Sequence, residues 1–203
     1  DRKMQHRMAE YYWKTAMAEV ANSTKAEDLD IYARSACRLT NLLSVRGEYE
    51  AALDVAVPAA QRLEQQHCDS TSDYTNLLVY IGCCKSRFGM SVEEANESYE
   101  RAYEMHLMNI KKQRTSETYK NAIAGVINIA YNCNETRHYE DALKWTNHYG
   151  ELISEYEQRN DSNNDYVDKQ WARYDIYRAI ALEGLGRKEE ATEVFGHFQK
   201  THY

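Results

Sequence analysis

One short pattern recurs four times along the chain, and it constrains the fold more than any other feature. The fullest copies run from a turn residue through an aromatic residue to an alanine. The copies occupy residues 47–53, 89–95, 137–143 and 186–191. Repetition at a spacing of tens of residues is typical of stacked repeat proteins. Such arrays offer a long surface and usually no catalytic pocket, so the pattern favours a binding function.

The composition agrees with an all-helical fold. A chain of 203 residues, 43% of them hydrophobic, is long enough to bury a substantial core. Proline occurs once and glycine eight times. Because sheets need these residues at their turns, their scarcity indicates helices throughout.

The charge balance bears on the class of partner. The formal net charge is −7, and the isoelectric point is about 5.5. Nucleic acids and anionic membrane surfaces attract proteins through lysine and arginine. We therefore predict a protein or peptide partner, no nucleic acid and no direct membrane contact.

Apolar periodicity predicts nine helices and no strand. Gly47 should cap the C-terminal end of its helix, Ser91 and Glu94 should form a capping box, and Pro58 should kink its helix or shift its start. The predicted helices span about 3–21, 26–46, 48–66, 73–88, 91–112, 117–134, 138–158, 166–185 and 187–201.

The pattern resembles the tetratricopeptide repeat, a helical hairpin with small and aromatic residues at fixed offsets. The best second-helix match is Val92, Ala95, Tyr99 and Ala102, preceded by Ile81 and Gly82 on the first helix. The alanines at 52, 95, 142 and 191 are 43, 47 and 49 residues apart, against about 34 in the family. The helices should therefore be longer than usual.

This resemblance implies an all-α, right-handed superhelical solenoid. Residues 1–203 would form a single domain, with a leading helix at 1–24 and about four long hairpins at 25–203. An unrelated antiparallel helical array is the alternative.

Long-helix arrays of this kind are similar to the extracytoplasmic sensor regions of bacterial membrane histidine kinases. That likeness implies a signal-receiving module of a two-component system at the periplasmic face of the inner membrane. The alternative is a free-standing cytoplasmic scaffold or adaptor for protein assembly. The flanks of the parent gene distinguish them, because a sensor needs a membrane span after residue 203.

Chemistry-bearing motifs are hard to find in the sequence. There is no glycine-rich phosphate loop, no nucleophile elbow and no CxxC pair among the five cysteines. His67 and Cys68 are the closest approach to a metal site, and zinc needs more ligands than these two. We predict no enzymatic activity, no cofactor and no metal.

In the family that the chain resembles, the first helix of each hairpin lines the ligand groove. This frame places there Arg34, Cys37, Asn41, Val45, Asn76, Val79, Arg87, Ala124, Ile127, Tyr131 and Arg173. Arginine and asparagine can hold the backbone or carboxylate of an extended peptide. The candidate peptide-binding residues are therefore Arg34, Asn41, Asn76, Arg87, Tyr131 and Arg173. A merely solvated face is the alternative.

The last predicted helix carries Phe195, Phe198 and Tyr203, with no following helix to cover them. Solenoids normally end in a polar cap. Either the natural chain continues, or this end packs against a partner or a second copy, giving a homodimer through the C-terminal end.

Overall fold

The computed structural model describes residues 2–68 and 71–202, and this part of the chain contains nine α-helices and no strand. The helices are α1 Arg2–Glu19, α2 Ala26–Val45, α3 Tyr49–Gln65, α4 Ser72–Phe88, α5 Val92–Gln113, α6 Ser116–Glu135, α7 Tyr139–Glu157, α8 Asn164–Gly184 and α9 Lys188–His202. The prediction of an all-α fold is confirmed, and each helix lies within two residues of its predicted bounds.

Local signals explain why the helix starts agree so well. The Ser91 hydroxyl accepts a hydrogen bond from the Glu94 amide, and the Glu94 carboxylate accepts one from the Ser91 amide, both at 3.1 Å. This reciprocal pair is the predicted capping box. α3 begins at Tyr49, as the apolar pattern requires, and continues through Pro58, so the proline does not shift the start of this helix.

All four of the recurring turn residues end a helix in the same way. Each has a positive φ: 79° at Gly47, 85° at Gly89, 62° at Arg137 and 76° at Gly186. In each turn the following amide donates back to a carbonyl five residues earlier; the pairs are Glu48 to Leu43 at 3.0 Å, Met90 to Lys85 at 3.1 Å, His138 to Cys133 at 2.8 Å and Arg187 to Leu182 at 2.9 Å. This is the Schellman arrangement, in which a left-handed residue closes the helix.

The chain divides into two compact units, with the boundary between Met105 and His106 in α5. In the first unit, α2 packs against α1, α3 and α4. A buried cluster of Leu39, Leu43, Ala52 and Cys84 receives Trp13 and Met17 from α1. Apolar packing of neighbouring helices therefore holds this unit together.

Small residues allow close helix approach in the first unit. Gly82 of α4 lies directly against the ring of Tyr99 in α5, where a Cβ would overlap the ring. Both residues belong to the repeat match identified in the sequence. The observed contact gives the small–large pairing a physical reason.

The second unit is rich in buried aromatic side chains. Trp145, Tyr149 and Tyr156 of α7 are fully buried. The Tyr149 hydroxyl donates to Gln170 Oε1 at 2.8 Å, and Gly184 lies against Tyr139, so α7 and α8 are antiparallel.

Alternate helices are parallel within this unit. Lys120 near the start of α6 approaches Tyr166 near the start of α8. Tyr131 near the end of α6 approaches Tyr177 further along α8. The two helices therefore run side by side in the same direction.

On α1 the apolar residues that recur at four-residue spacing from Met4 do not form the packed face. Met4, Met8 and Tyr12 are exposed, and Trp13 and Met17 face the core instead. Cys84 is inaccessible and Cys83 is half-buried, because adjacent residues of a helix point to different faces.

Candidate functional site

The first candidate surface is the α2/α4 face, where these two helices lie side by side. The Arg34 Nε lies 4.0 Å from Asp73 Oδ2 near the start of the helices. Leu43 near the end of α2 and Cys84 near the end of α4 belong to the same buried cluster, so α2 and α4 are also parallel. This face carries four of the predicted site residues: Arg34, Asn41, Asn76 and Arg87.

Asp73 changes the electrostatics expected of this face. Burial raises the pKa of the Asp73 carboxyl, and the charges of Arg34 and Arg38 partly oppose that shift. Arg34 is itself largely exposed, with 65% of its side chain accessible. Its charge is therefore partly neutralised by a neighbour that the sequence did not identify.

Two residues assigned to the groove are instead buried between the helices. Cys37 and Val79 are 5% and 2% exposed. Burial, together with the nearby Asp73 charge, raises the pKa of the Cys37 thiol to about 12. A thiol of this kind stays protonated at neutral pH and is a poor nucleophile. The α2/α4 face thus offers its polar side chains for binding, with Asn41, Asn76 and Arg87 half-buried at its surface.

The second candidate surface is the α6/α8 face, which belongs to the second unit. Tyr131 is 41% exposed. Its ring centroid lies 6.0 Å from that of Tyr177, with an interplanar angle of 61°. An edge-on pair of this kind is favourable for aromatic rings. The two tyrosines form one end of a surface that presents both ring faces and hydroxyl groups.

Arg173 lies among tyrosines on this face. Burial raises the pKa of Tyr166 to about 12 and also raises that of Tyr149 and Tyr177, while the positive charge of Arg173 acts against all three shifts. The charge of the guanidinium therefore acts on three phenol groups. Arg173 is exposed, and no salt bridge joins it to a carboxylate within the described residues.

Lys120 supplies a second cation to the α6/α8 face. Its Nζ lies 5.3 Å from the Tyr166 ring centroid and 5.7 Å from the Tyr156 ring centroid, both within cation–π range. Ala124, one turn further along α6, is exposed and adds only a methyl group to the surface. Ile127, also assigned to the groove, is only 7% exposed and belongs to the core.

The structure thus separates the six candidate residues into two groups. Tyr131 and Arg173 share the α6/α8 face, and the other four share the α2/α4 face. Sequence reasoning missed Lys120, Tyr166 and Tyr177. The signal was present on α8, because residues at 166, 170, 173 and 177 recur at helical spacing and therefore share one side.

Two other kinds of site find no support among the described residues. Across the ranges 2–68 and 71–202, no cluster of three or more histidine, cysteine or acidic side chains is arranged to hold a metal ion. Within those same ranges, none of the helices combines the length and apolarity needed to cross a membrane.

Comparison with known proteins assigns no family. No protein-family model matches this chain, and no curated protein matches it either. The functional conclusion therefore rests on the two faces and their chemistry.

Proposed function

We propose that this protein is a tetratricopeptide-like binding module that recognises a protein or peptide and has no chemistry of its own. In each unit one pair of alternate helices, α2 with α4 and α6 with α8, runs parallel. The recurring Schellman turns and the contact of Gly82 with Tyr99 support a right-handed solenoid of about four hairpins after a leading helix.

The α6/α8 face is the proposed binding site, and Arg173 carries the proposal. In a chain of net charge −7, this exposed guanidinium has no carboxylate partner among the described residues. Its charge acts on Tyr149, Tyr166 and Tyr177 instead. Arginine can bind a carboxylate through two parallel hydrogen bonds, so the site fits an extended peptide that carries an acidic residue.

The neighbouring aromatic rings add a second element of recognition. Tyrosine and arginine are enriched among the residues that dominate binding energy at interfaces. The exposed edge of Tyr131 and its partner Tyr177 would contact an apolar or aromatic side chain of the ligand. The preferred ligand therefore has an acidic residue close to an apolar one.

The α2/α4 face is the weaker candidate. Arg34 lies 4.0 Å from Asp73, so a ligand carboxylate would compete with an existing neighbour. Asn41 and Asn76 can still both donate to and accept from a peptide backbone.

The test begins with a random twelve-residue peptide library displayed on phage and panned on the protein. Recovered peptides are synthesised with a fluorescent label, and their dissociation constants are measured by anisotropy. Arg173→Gln and Tyr131→Ala should each weaken binding by about tenfold, a loss of about 1.4 kcal/mol.

Lys144→Gln provides the matched control. It removes the same charge from α7, on a side chain that lies over Trp145 and away from the α6/α8 face, and it should leave affinity unchanged. If every recovered peptide binds the Arg173 and Tyr131 variants as tightly as the parent, the proposed site is overturned. Failure to recover any binding peptide would count against the binding function itself.

The biological setting proposed for the module is the signal-receiving region of a bacterial sensor histidine kinase, with a cytoplasmic adaptor as the rival. The array of long helices supports the sensor kinase. Sequencing the parent gene distinguishes them: a signal peptide upstream and an apolar run of about 20 residues downstream identify the sensor. An initiator methionine directly before Asp1 and a stop codon after Tyr203 identify the adaptor.

A further inference from the structure

A groove of ≈ 670 Å³ lies along α8 and α9 in the second unit. Its apolar side chains are only partly covered. Phe195 is 51% exposed, Ile180 42% and Ile176 37%. Tyr203, grouped with Phe195 in the sequence, lies outside the described residues. Large apolar side chains grouped in this way mark an interaction surface. Tyr131 and Arg173 do not line this α8/α9 groove, so a role for the groove is independent of peptide binding at the α6/α8 face.

In this groove a large exposed side chain lies next to an open space, which is called the hollow below. Ala179, Ala191 and Gly196 also line it, and all three are small. A Cβ added to Gly196 would meet no atom within 4 Å, so the space above this residue is open. Phe195, next to Gly196, also lines the groove and is half exposed, with its ring centroid 6.1 Å from that of Phe198. A surface that carries both a large exposed side chain and a hollow can pair with itself.

The groove also carries one acidic and one basic side chain, and these are complementary in charge. Glu183 and Lys188 both line it, and no salt bridge within the described residues uses either side chain. A two-fold interface brings the same patch from both copies together, so a residue of one copy meets a different residue of the other. One acid and one base on the same patch therefore favour a second copy over a strongly charged partner.

We propose that the α8/α9 groove is the contact surface of a two-fold homodimer. Phe195 of each copy enters the hollow of the other, and Lys188 of each copy faces Glu183 of the other. The apolar contact supplies the affinity. The two ion pairs select the orientation, because exposed pairs contribute little free energy whereas juxtaposed like charges are costly.

Sedimentation velocity over about 1 to 200 μM tests the proposal, because this range covers weak and moderate dimers. The parent chain should shift from monomer towards dimer as its concentration rises. Phe195→Glu should raise the dimer dissociation constant at least about tenfold. Phe88→Glu is the matched control, since Phe88 on α4 is 50% exposed and lies outside the groove, and it should leave the constant unchanged.

Charge reversal tests the predicted pairing directly. Lys188→Glu alone makes both charges acidic and Glu183→Lys alone makes both basic, so each variant should dimerise at least about tenfold more weakly. Combining both substitutions in one chain should restore the homodimer, and mixing the two single variants should give a heterodimer. A parent chain that stays monomeric throughout, or a dimer insensitive to Phe195→Glu, would overturn the proposal. Failure of both the double variant and the mixture to recover would overturn the two-fold pairing.

Discussion

At the scale of single residues, Arg137 stands out because it occupies a backbone conformation that favours glycine. Its φ is 62°, and the three equivalent turns use Gly47, Gly89 and Gly186. A left-handed conformation costs a residue with a side chain about 1–2 kcal/mol. Glycine relieves that strain but loses more entropy on folding.

Arg137→Gly should therefore raise the free energy of unfolding by about 0.5–1 kcal/mol, measured by urea denaturation. Gly186→Ala is the reciprocal variant, since it introduces the strain at a φ of 76°, and it should destabilise the protein. A loss of stability in Arg137→Gly would show that the arginine side chain contributes contacts worth more than the strain.

His106 is the residue whose burial should make stability depend on pH. It is 3% exposed, its Nε2 has no hydrogen-bond partner in the described part of the chain, and Gly125 leaves room for its ring. Burial lowers the pKa of the imidazole to about 4 from an ordinary value of 6.5. The unfolded chain therefore takes up a proton as the pH falls below 6.5, whereas the folded chain does not.

The contribution of His106 is fully present above pH 6.5 and is lost progressively down to about pH 4. The total loss is on the order of 3 kcal/mol. His106→Leu should remove this part of the pH dependence when unfolding free energies at about pH 7 and about pH 4.5 are compared. His6→Gln on α1 should retain it. An unchanged difference in the leucine variant would refute the assignment.

At the scale of helices, close packing depends on where glycine meets an aromatic ring. Gly82 lies against the ring of Tyr99, whereas Gly196 has open space around it. Both residues are within helices. The same substitution should therefore have opposite effects at the two positions.

Gly82→Ala should lower the free energy of unfolding by about 1–3 kcal/mol, because the added methyl group must displace the Tyr99 ring. Gly196→Ala should raise it by about 0.5–1 kcal/mol through helix propensity. Both are measured by urea unfolding at a concentration where the chain is monomeric. Destabilisation of similar size at both positions would show that helix packing is not the cause.

Helix bounds could be predicted from the sequence because their signals are local. Ser91 caps the residues beside it, and Gly47 closes the helix that precedes it. Which face of a helix is buried depends on distant residues instead. The stripe through Met4 and Met8 is visible in the sequence, yet α1 packs through Trp13, because its neighbours present their apolar side chains there.

The candidate site was predictable only in part for the same reason. The six residues were assigned to the first helices of hairpins, but their neighbours come from other parts of the chain. Asp73 is 39 positions from Arg34, and Tyr177 is 46 positions from Tyr131. No local pattern in the sequence connects residues so far apart.

At the scale of the whole molecule, the two faces differ in the ligand chemistry that they offer. The α6/α8 face combines aromatic rings with cations. The α2/α4 face carries amide groups, and its Arg34 lies beside Asp73. A ligand held mainly through its backbone should favour the second face, because amides both donate and accept hydrogen bonds.

The triple variant Asn41→Ala, Asn76→Ala and Arg87→Ala tests this division of roles. Hydrogen bonds to such groups contribute about 0.5–1.5 kcal/mol each after water is displaced. Peptides from the library that use the α2/α4 face should therefore bind the triple variant at least about tenfold more weakly. The same peptides should bind Arg173→Gln normally. Circular dichroism and urea unfolding check that the fold is intact, since all three residues are half-buried. If every recovered peptide binds an intact triple variant with parental affinity, the α2/α4 face takes no part in recognition, and the role predicted for Asn41, Asn76 and Arg87 is wrong.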